Sequence, residues 1–303
     1  MAGARMHHAW MLSGLKGLGK GLFARAAAAE LVAEPGVPQP PAELHPDILI
    51  PEHPPENKEE AKKREDGAEY RRKRSIPIEE IRTLIHRLHT RPTLGSRRAV
   101  IIDPADDLER SAANALLKAL EEPPQGTFFL LVTHRPGRLL PTIRSRCRIL
   151  RFAPLENAEI EGILRQSAPQ ADAAARAAAI AAAEGSPGAA LEFVEQDLGK
   201  LHQLMTRLIA EGDEHFALRA ALAEEIGARP TRERQQAAVD LARAVVAAEL
   251  GKGSAERNQR VIAVHGDLVR LAGQLPTYNF DPALAMMEIG ALLASLAMPR
   301  EAA

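Results

Sequence analysis

Cysteine is almost absent from this chain of 303 residues, which contains Cys147 alone. A single cysteine excludes an internal disulfide and a zinc site built from several cysteines, and we expect Cys147 to be a small packing residue rather than a reactive thiol. No apolar run approaches the roughly 18 residues of a membrane span, and residues 1–10 lack the basic-then-apolar layout of a secretory signal. We therefore expect a cytoplasmic protein with no membrane contact.

The sequence also lacks an excess of charge of either sign, because its formal net charge is −1. Without a global basic field, contact with nucleic acid has to be local or made through partners. The segment from Glu56 to Arg74 is almost wholly charged, and we interpret it as a solvated excursion. Its basic run, Arg71–Arg74, could also contact DNA phosphates, although the acidic residues just before it offset that attraction.

Strand and helix patterns alternate through the first half of the chain. Four apolar runs are typical of buried parallel strands, and segments with helical periodicity or alanine-rich composition lie between them. The predicted strands cover 8–12, 99–103, 127–133 and 148–152, and the predicted helices cover 21–33, 75–89 and 111–122. Repeated β–α alternation predicts a parallel sheet with helices on both faces, in a domain that spans residues 1–154.

Strand signals end after Pro154. Alanine is abundant from Ala168 onward, which favours helix over sheet. We expect a small helical bundle over residues 155–198, interrupted by the Gly-Ser-Pro-Gly sequence at 185–188, and a second all-helical unit over residues 199–303.

A glycine-rich motif links the first predicted strand to the first predicted helix. It reads Gly-Leu-Lys-Gly-Leu-Gly-Lys and matches the phosphate-binding pattern G-x-x-x-x-G-K. The glycines let backbone N–H groups curl around a phosphate, and the lysine supplies a point charge. The next residue is Gly21, where the motif has the serine or threonine that ligates magnesium. The candidate nucleotide-binding residues of this loop are Gly14, Gly17, Gly19 and Lys20.

A second acidic motif is also incomplete. Asp103 ends the second predicted strand, where it either holds magnesium through water or simply terminates a buried strand. A P-loop ATPase that uses this aspartate needs a glutamate immediately after it to orient the attacking water. Pro104 stands in that place, and proline has no side-chain acceptor. Gly21 and Pro104 thus replace two residues that ATP hydrolysis needs. We therefore expect a nucleotide site that does not hydrolyse ATP.

Two longer motifs carry a family resemblance. Residues 114–124 resemble the NALLKxLEEPP signature of clamp-loader AAA+ subunits, and residues 142–147 look like their SRC motif. The resemblance covers about Trp10 to Phe152. The combination of a degraded ATP site with an intact SRC motif is similar to that of the delta-prime subunits of bacterial DNA polymerase III. It implies a P-loop AAA+ core, a helical lid over residues 155–198 and a helical collar over residues 199–303 that joins a ring.

The resemblance also implies roles for individual residues. In the family the SRC arginine is an arginine finger supplied in trans, and here it falls on Arg146. The alternative is a solvated basic edge, in which Arg144, Arg146 and Arg148 share one face if the segment is extended. Thr133 stands where the family has a nucleotide-sensing polar residue, or it caps its strand. Gly188 replaces an arginine that motor subunits direct at the nucleotide, which is a third loss.

The function that the resemblance implies is a non-catalytic subunit of the DNA polymerase III clamp loader, within a nucleotidyltransferase complex. The implied partners are the tau and gamma motor subunits and the delta subunit, with the sliding clamp and primed DNA reached through the assembled ring. No cofactor is required, and weak or vestigial ATP binding is allowed. Zinc is not expected, because residues 35–55 lack the cysteines of the relatives' zinc module. An active P-loop ATPase motor subunit, using Lys20 and Asp103, and an AAA+ adaptor outside replication are the alternatives.

The beginning of the chain departs from the family pattern. Relatives usually begin a few dozen residues earlier, with a helix that packs near the adenine. Either the start at Met1 is misplaced or the adenine pocket lacks one wall, which would weaken nucleotide binding. His7 and His8 have no clustered partners in the sequence, and we expect them to be strand-edge residues rather than metal ligands.

Overall fold

The computed structural model describes residues 6–274 and 280–297. It divides after Pro154 into two compact units, at the position where the sequence predicts the end of the α/β domain. Over the described residues, the strands lie in the first unit and the second unit consists of helices. The further division of residues 155–303 into a lid and a collar stays a prediction.

A five-stranded parallel sheet organises the first unit. Its strands are β1 (Ala9–Ser13), β2 (Ile48–Leu49), β3 (Arg98–Ile102), β4 (Thr127–Thr133) and β5 (Arg148–Arg151), in the order β2-β3-β4-β1-β5. Every residue of β3 is buried, as expected for a strand covered on both faces. Four strands lie within one residue of the predicted ranges. The fifth, β2, has only two residues and is too short to show a strand period.

Helices cover both faces of this sheet. They are α1 (Lys20–Val32), α2 (Lys58–Glu65), α3 (Ile78–Leu88), α4 (Arg110–Glu121) and α5 (Pro141–Arg144). One apolar core joins Ala24 of α1 to Leu12 of β1, and a second core joins Leu116 of α4 to Met11. Because neighbouring strand residues point to opposite faces, the two cores lie on opposite sides of the sheet.

The charged segment over residues 56–74 is not simply a solvated excursion, and the buried side chain of Glu60 corrects that interpretation. Asn57 caps α2 by accepting the N–H of Glu60 at 2.9 Å. The Glu60 carboxylate accepts the backbone N–H of Arg71 at 2.7 Å and Nζ of Lys63 at 2.8 Å. A buried carboxylate with these partners is satisfied, and it folds the segment back on itself while Arg71–Arg74 stay exposed.

The second unit contains α6 to α13 over its described residues. They are α6 (Asn157–Ser167), α7 (Ala173–Ala182), α8 (Pro187–Glu195), α9 (Gly199–Glu211), α10 (Ala217–Ile226), α11 (Arg232–Ala247), α12 (Ala255–Gln274) and α13 (Pro282–Ala294). One apolar core extends through this unit from Ile160 to Leu296. The predicted boundary after residue 198 lies between α8 and α9, within the stretch that this core covers. None of the helices over the described residues is long and apolar enough to cross a membrane.

A buried ion pair anchors the loop that leads into β3. Arg98 and Asp47 are both buried, and Nη2 of Arg98 lies 3.5 Å from Oδ1 of Asp47. The guanidinium also donates to the carbonyls of Thr90 at 3.1 Å and Arg91 at 2.9 Å, and Asp47 accepts the N–H of Thr93 at 2.7 Å. The pair therefore ties the loop between α3 and β3 to the chain that enters β2.

We expect Arg98→Ala to destabilise the first unit by about 3–5 kcal/mol, because it leaves the charge of Asp47 buried without its cation. Urea unfolding followed by the fluorescence of Trp10, the single tryptophan of the chain, measures this unit. Arg64→Ala is the matched control, since Arg64 forms a half-exposed pair with Glu52 at 3.4 Å, and it should cost less than about 1 kcal/mol. Equal losses for the two variants would contradict the structural role of Arg98.

Candidate functional site

The P-loop lies at the carboxyl edge of the parallel sheet, where open α/β sheets bind their ligands. β1 ends at Ser13, and Gly14 donates its N–H to the carbonyl of Thr133, at the end of the neighbouring β4, at 3.3 Å. Gly17 and Gly19 have φ angles of 84° and 75°, a left-handed conformation that glycine adopts at no steric cost. The predicted order of a strand, a glycine-rich turn and a helix is confirmed, and phosphate binding by the turn stays a prediction.

Lys20 begins α1 and is almost completely buried, with 2% of its surface exposed. Its Nζ donates to the carbonyl of Leu15 at 2.5 Å, within the loop itself. Burial lowers the pKa of Lys20, and the nearby carboxylates of Asp103 and Asp106 act in the opposite direction. The lysine is therefore buried against its own loop, within range of the charges of two carboxylates.

Gly21 and Asp103 come into direct proximity. A Cβ built on Gly21 would lie 2.3 Å from Oδ2 of Asp103, a separation that no ordinary side chain tolerates. Oδ2 also accepts from Nη1 of Arg25 at 3.3 Å, and the same Nη1 lies 3.1 Å from the Gly21 carbonyl. Arg25 was not predicted as a site residue. The available signal was its position, one helical turn after Gly21.

These residues do not fit a magnesium ion held as P-loop NTPases hold it. That arrangement needs the hydroxyl after the lysine together with an aspartate from the next acidic motif. Here the hydroxyl is missing, its space is filled by the carboxylate of Asp103, and that carboxylate is paired with Arg25. Within residues 6–274 and 280–297 there is also no cluster of three or more His, Cys, Asp or Glu side chains that could hold a metal ion.

Thr133 is fully buried at the end of β4 and is bonded to Asp106. Its Oγ1 donates to Oδ1 of Asp106 at 2.7 Å. The other carboxylate oxygen accepts the N–H of His134 at 2.6 Å, and Oδ1 also accepts that of Arg135 at 3.2 Å. These bonds favour the strand-capping interpretation of Thr133, and a nucleotide-sensing role stays a prediction. Asp106 was not predicted as a site residue, because its partners are 27 or more residues away in sequence.

His134 belongs to the same group of charges. Burial lowers the pKa of its imidazole, the charge of Lys20 lowers it further, and the carboxylates of Asp106 and Asp103 oppose the shift. Its Nδ1 is buried and has no hydrogen-bond partner among the described residues. The imidazole is thus kept neutral beside the lysine of the P-loop.

Arg146 follows the single helical turn of α5 and precedes β5. The segment is not extended, so the condition under which Arg144, Arg146 and Arg148 would share one face is not met. Nη1 of Arg146 donates to the carbonyl of Thr142 at 2.7 Å, and Nη2 is paired with Oε1 of Glu121, the last residue of α4. The side chain is 32% exposed, so the guanidinium lies at the surface of the unit.

Arg146 and the P-loop lie at opposite edges of the sheet. β5 pairs in parallel with β1, and Arg148 is aligned with Trp10. The carboxyl end of β1 leads into the P-loop, whereas Arg146 lies just before the amino end of β5. The four residues of β5 separate the two edges by about 13 Å. The guanidinium therefore does not serve the P-loop of its own chain.

Cys147 is a packing residue, as predicted. It is partly buried against the apolar core under α3 and α4, and burial raises the pKa of its thiol to about 11. A thiol with a raised pKa has little thiolate character near neutral pH.

Comparisons with known proteins agree with these features. A family model described as "DNA polymerase III, delta subunit" matches residues 1–156. The chain is 34% identical over 201 residues to the DNA polymerase III subunit delta' of Pseudomonas aeruginosa, covering 62% of this chain and 56% of that protein. It is 30% identical over 236 residues to the DNA polymerase III subunit tau of Escherichia coli strain K12, covering 74% of this chain and 36% of that protein. The matched part thus spans about half, or less, of the curated relatives' length.

A solved structure has the same fold. It is a DNA polymerase III gamma subunit-related protein from Thermotoga maritima, with a TM-score of 0.50 and 21% identity, covering 95% of both chains. The predicted fold class, a P-loop AAA+ core followed by helical segments, is confirmed.

We expect Asp106→Ala to lower the free energy of unfolding of the first unit by about 1–3 kcal/mol, because it leaves the buried Thr133 hydroxyl without an acceptor. Urea unfolding followed by Trp10 fluorescence measures the loss. The control is Asp107→Ala, which removes a more exposed contact with His53 at 3.1 Å and should change the free energy by less than about 1 kcal/mol. An Asp106→Ala variant as stable as wild type would contradict this account.

Proposed function

Because the chain belongs to the DNA polymerase III delta subunit family, we propose that it acts as the non-catalytic delta-prime subunit of a bacterial clamp loader. In this role it lends Arg146 to the ATP site of a neighbouring motor subunit. The proposed partners are the tau and gamma motor subunits and the delta subunit. Through the assembled ring, the chain helps to load the sliding clamp onto primed DNA. The similarity to relatives named delta' and tau supports this set of partners.

The observation that carries the proposal is the separation of Arg146 from its own P-loop. An arginine at the amino edge of the sheet faces away from the phosphate loop at the carboxyl edge. It is nevertheless partly exposed and held by surface contacts, with Thr142 and Glu121 as its partners. A guanidinium in this position is available to a triphosphate on another subunit and unavailable to one on its own.

The chemistry of the guanidinium suits that role. Its planar fork of N–H donors matches phosphate oxygens and keeps its charge at every physiological pH. Negative charge gathers on the γ-phosphoryl group during transfer, and an arginine placed there raises the rate by about 10³–10⁵. On docking to a neighbour, the ion pair of Arg146 with Glu121 would be exchanged for one with phosphate. Glu121 is 46% exposed, so it can be rehydrated when that happens.

The chain's own nucleotide site supports a subunit that does not hydrolyse ATP. Gly21 supplies no hydroxyl, Asp103 is paired with Arg25, and Pro104 offers no acceptor to aim water. Gly188 stands where motor subunits of the resembling family carry an arginine. No cofactor is required for the proposed role. A cytoplasmic location is part of the proposal, and the single cysteine and the replication proteins among the relatives support it.

In a reconstituted complex, Arg146→Ala should lower ATP turnover at the site that the arginine serves by about 10³-fold or more. The measurement is the steady-state ATP turnover of the whole complex in the presence of clamp and primed DNA. This turnover should fall by the fraction that the affected site contributes. The control is Arg144→Ala, an exposed arginine on the adjacent α5, which should leave turnover unchanged. Gel filtration verifies that both variants assemble. Unaltered turnover with the Arg146 variant would count decisively against the finger.

The purified chain alone should show no magnesium-dependent ATP hydrolysis, because three of its catalytic positions are lost. Phosphate release is measured for wild type and for Lys20→Ala, and both should match the buffer blank. Hydrolysis that Lys20→Ala abolishes would instead favour the active motor subunit. Co-purification that recovers no clamp-loader subunit would favour an adaptor outside replication.

A further inference from the structure

A guanidinium lies beside residue 21 of the P-loop, where Nη1 of Arg25 is 3.1 Å from the place of a Cβ on Gly21. We propose that Arg25 replaces the metal ion, so that this loop binds a polyphosphate anion, such as a nucleoside diphosphate, without a divalent cation. The inference goes beyond the proposed function, since it concerns the chain's own P-loop and does not depend on Arg146.

Space is the first support. Gly21 occupies the position of the metal-ligating serine or threonine, and the carboxylate of Asp103 fills the volume where a side chain would begin, 2.3 Å from the site of a Cβ. A hydroxyl cannot be added at residue 21 unless Asp103 moves. A magnesium site built from a hydroxyl at residue 21 and from Asp103 therefore requires the Asp103 carboxylate to leave its present position beside Arg25.

Charge is the second support. Nη1 of Arg25 lies 3.3 Å from Oδ2 of Asp103 and 3.1 Å from the carbonyl of Gly21. Nε of the same guanidinium lies 3.7 Å from Oε1 of Glu43. The carboxylate that would attract a divalent ion is already neutralised, and a magnesium ion there would be repelled by the guanidinium. Arg25 is one-third exposed, so it can also turn toward a bound phosphate.

The anion-binding half of the loop is retained. Gly17 and Gly19 have the left-handed backbone that turns successive N–H groups toward one point. Lys20 is buried beside this turn, and its ammonium donates to the carbonyl of Leu15 within the loop. The charge of Lys20 acts on the neutral imidazole of His134. The buried Nδ1 of that imidazole has no hydrogen-bond partner among the described residues. The absence of a hydroxyl at residue 21 has thus left the glycine turn and the lysine of the loop in place.

Calorimetric titration of the full chain with ADP, in EDTA and again in excess magnesium, tests the inference. We expect binding in EDTA to be at least as tight as in magnesium, and to be lost in Lys20→Ala, which assigns it to the P-loop. Absence of ADP binding in EDTA would overturn the inference. So would an affinity that rises about tenfold or more when magnesium is added.

Variants of Arg25 give the sharper test. Arg25→Gln should weaken ADP binding in EDTA by about tenfold, because the compensating cation is gone, and Arg25→Lys should restore most of it. Arg64→Ala, which removes a surface arginine of the same unit, is the matched control and should bind as wild type does. Trp10 fluorescence during unfolding verifies that each variant is folded. An Arg25→Gln variant that is folded and binds with wild-type affinity would refute the role of the guanidinium.

A double variant reverses the selectivity. With Arg25→Ala, Asp103 is released from its partner and can move away from residue 21, so that Gly21→Ser can be accommodated. We expect the combined variant to bind ADP more tightly in magnesium than in EDTA, the opposite of wild type. Gly21→Ser alone should not gain this preference, because Arg25 still holds Asp103 in place. A single Gly21→Ser variant with full magnesium dependence would show that Arg25 does not block the metal.

Discussion

Parallel pairing of β1 with both β4 and β5 determines where every chemically important group of the first unit lies. All five strands run in one direction, so everything that follows a strand lies at one edge of the sheet and everything that precedes a strand lies at the other. β1 and β4 are covered by apolar cores on both faces, and a slip of one residue would exchange the two sets of buried side chains. The register therefore keeps the P-loop and Arg146 at opposite edges of the sheet.

At the carboxyl edge, the acids that follow β3 have internal partners. Asp103 is paired with Arg25, and Asp106 accepts the hydroxyl of Thr133 and the N–H of His134. The missing hydroxyl at residue 21 and the guanidinium of Arg25 belong to one arrangement, because the volume left by the absent side chain is taken by the carboxylate that Arg25 holds. Such a site has lost its means of aiming water while keeping its lysine and its glycine turn.

Much of the fold of the first unit could be predicted from local sequence patterns. The apolar runs that became β1, β3, β4 and β5 are long enough to reveal strands, and the glycine spacing before Lys20 identified the P-loop. Three elements of the first unit were missed, two of them for local reasons. β2 is only two residues long, and α2 is a highly charged helix whose single buried acid, Glu60, depends on a backbone N–H eleven residues away. The helical turn of α5 was also missed, and it removes the condition under which Arg144, Arg146 and Arg148 would share one face.

The sequence by itself determined the order of the longer strands and helices of the first unit, the family and the loss of the metal-ligating hydroxyl. It also singled out Arg146, since each of these features is written in a short run of neighbouring residues. Only the tertiary structure decided which groups fill the space of the missing side chain at residue 21. Arg25 and Asp103 are 78 residues apart in sequence, and the folding of the sheet brings them together. Glu121 contacts Arg146 across 25 residues. Contacts of this kind leave no periodic trace in the chain, because they depend on strand order and helix packing rather than on spacing.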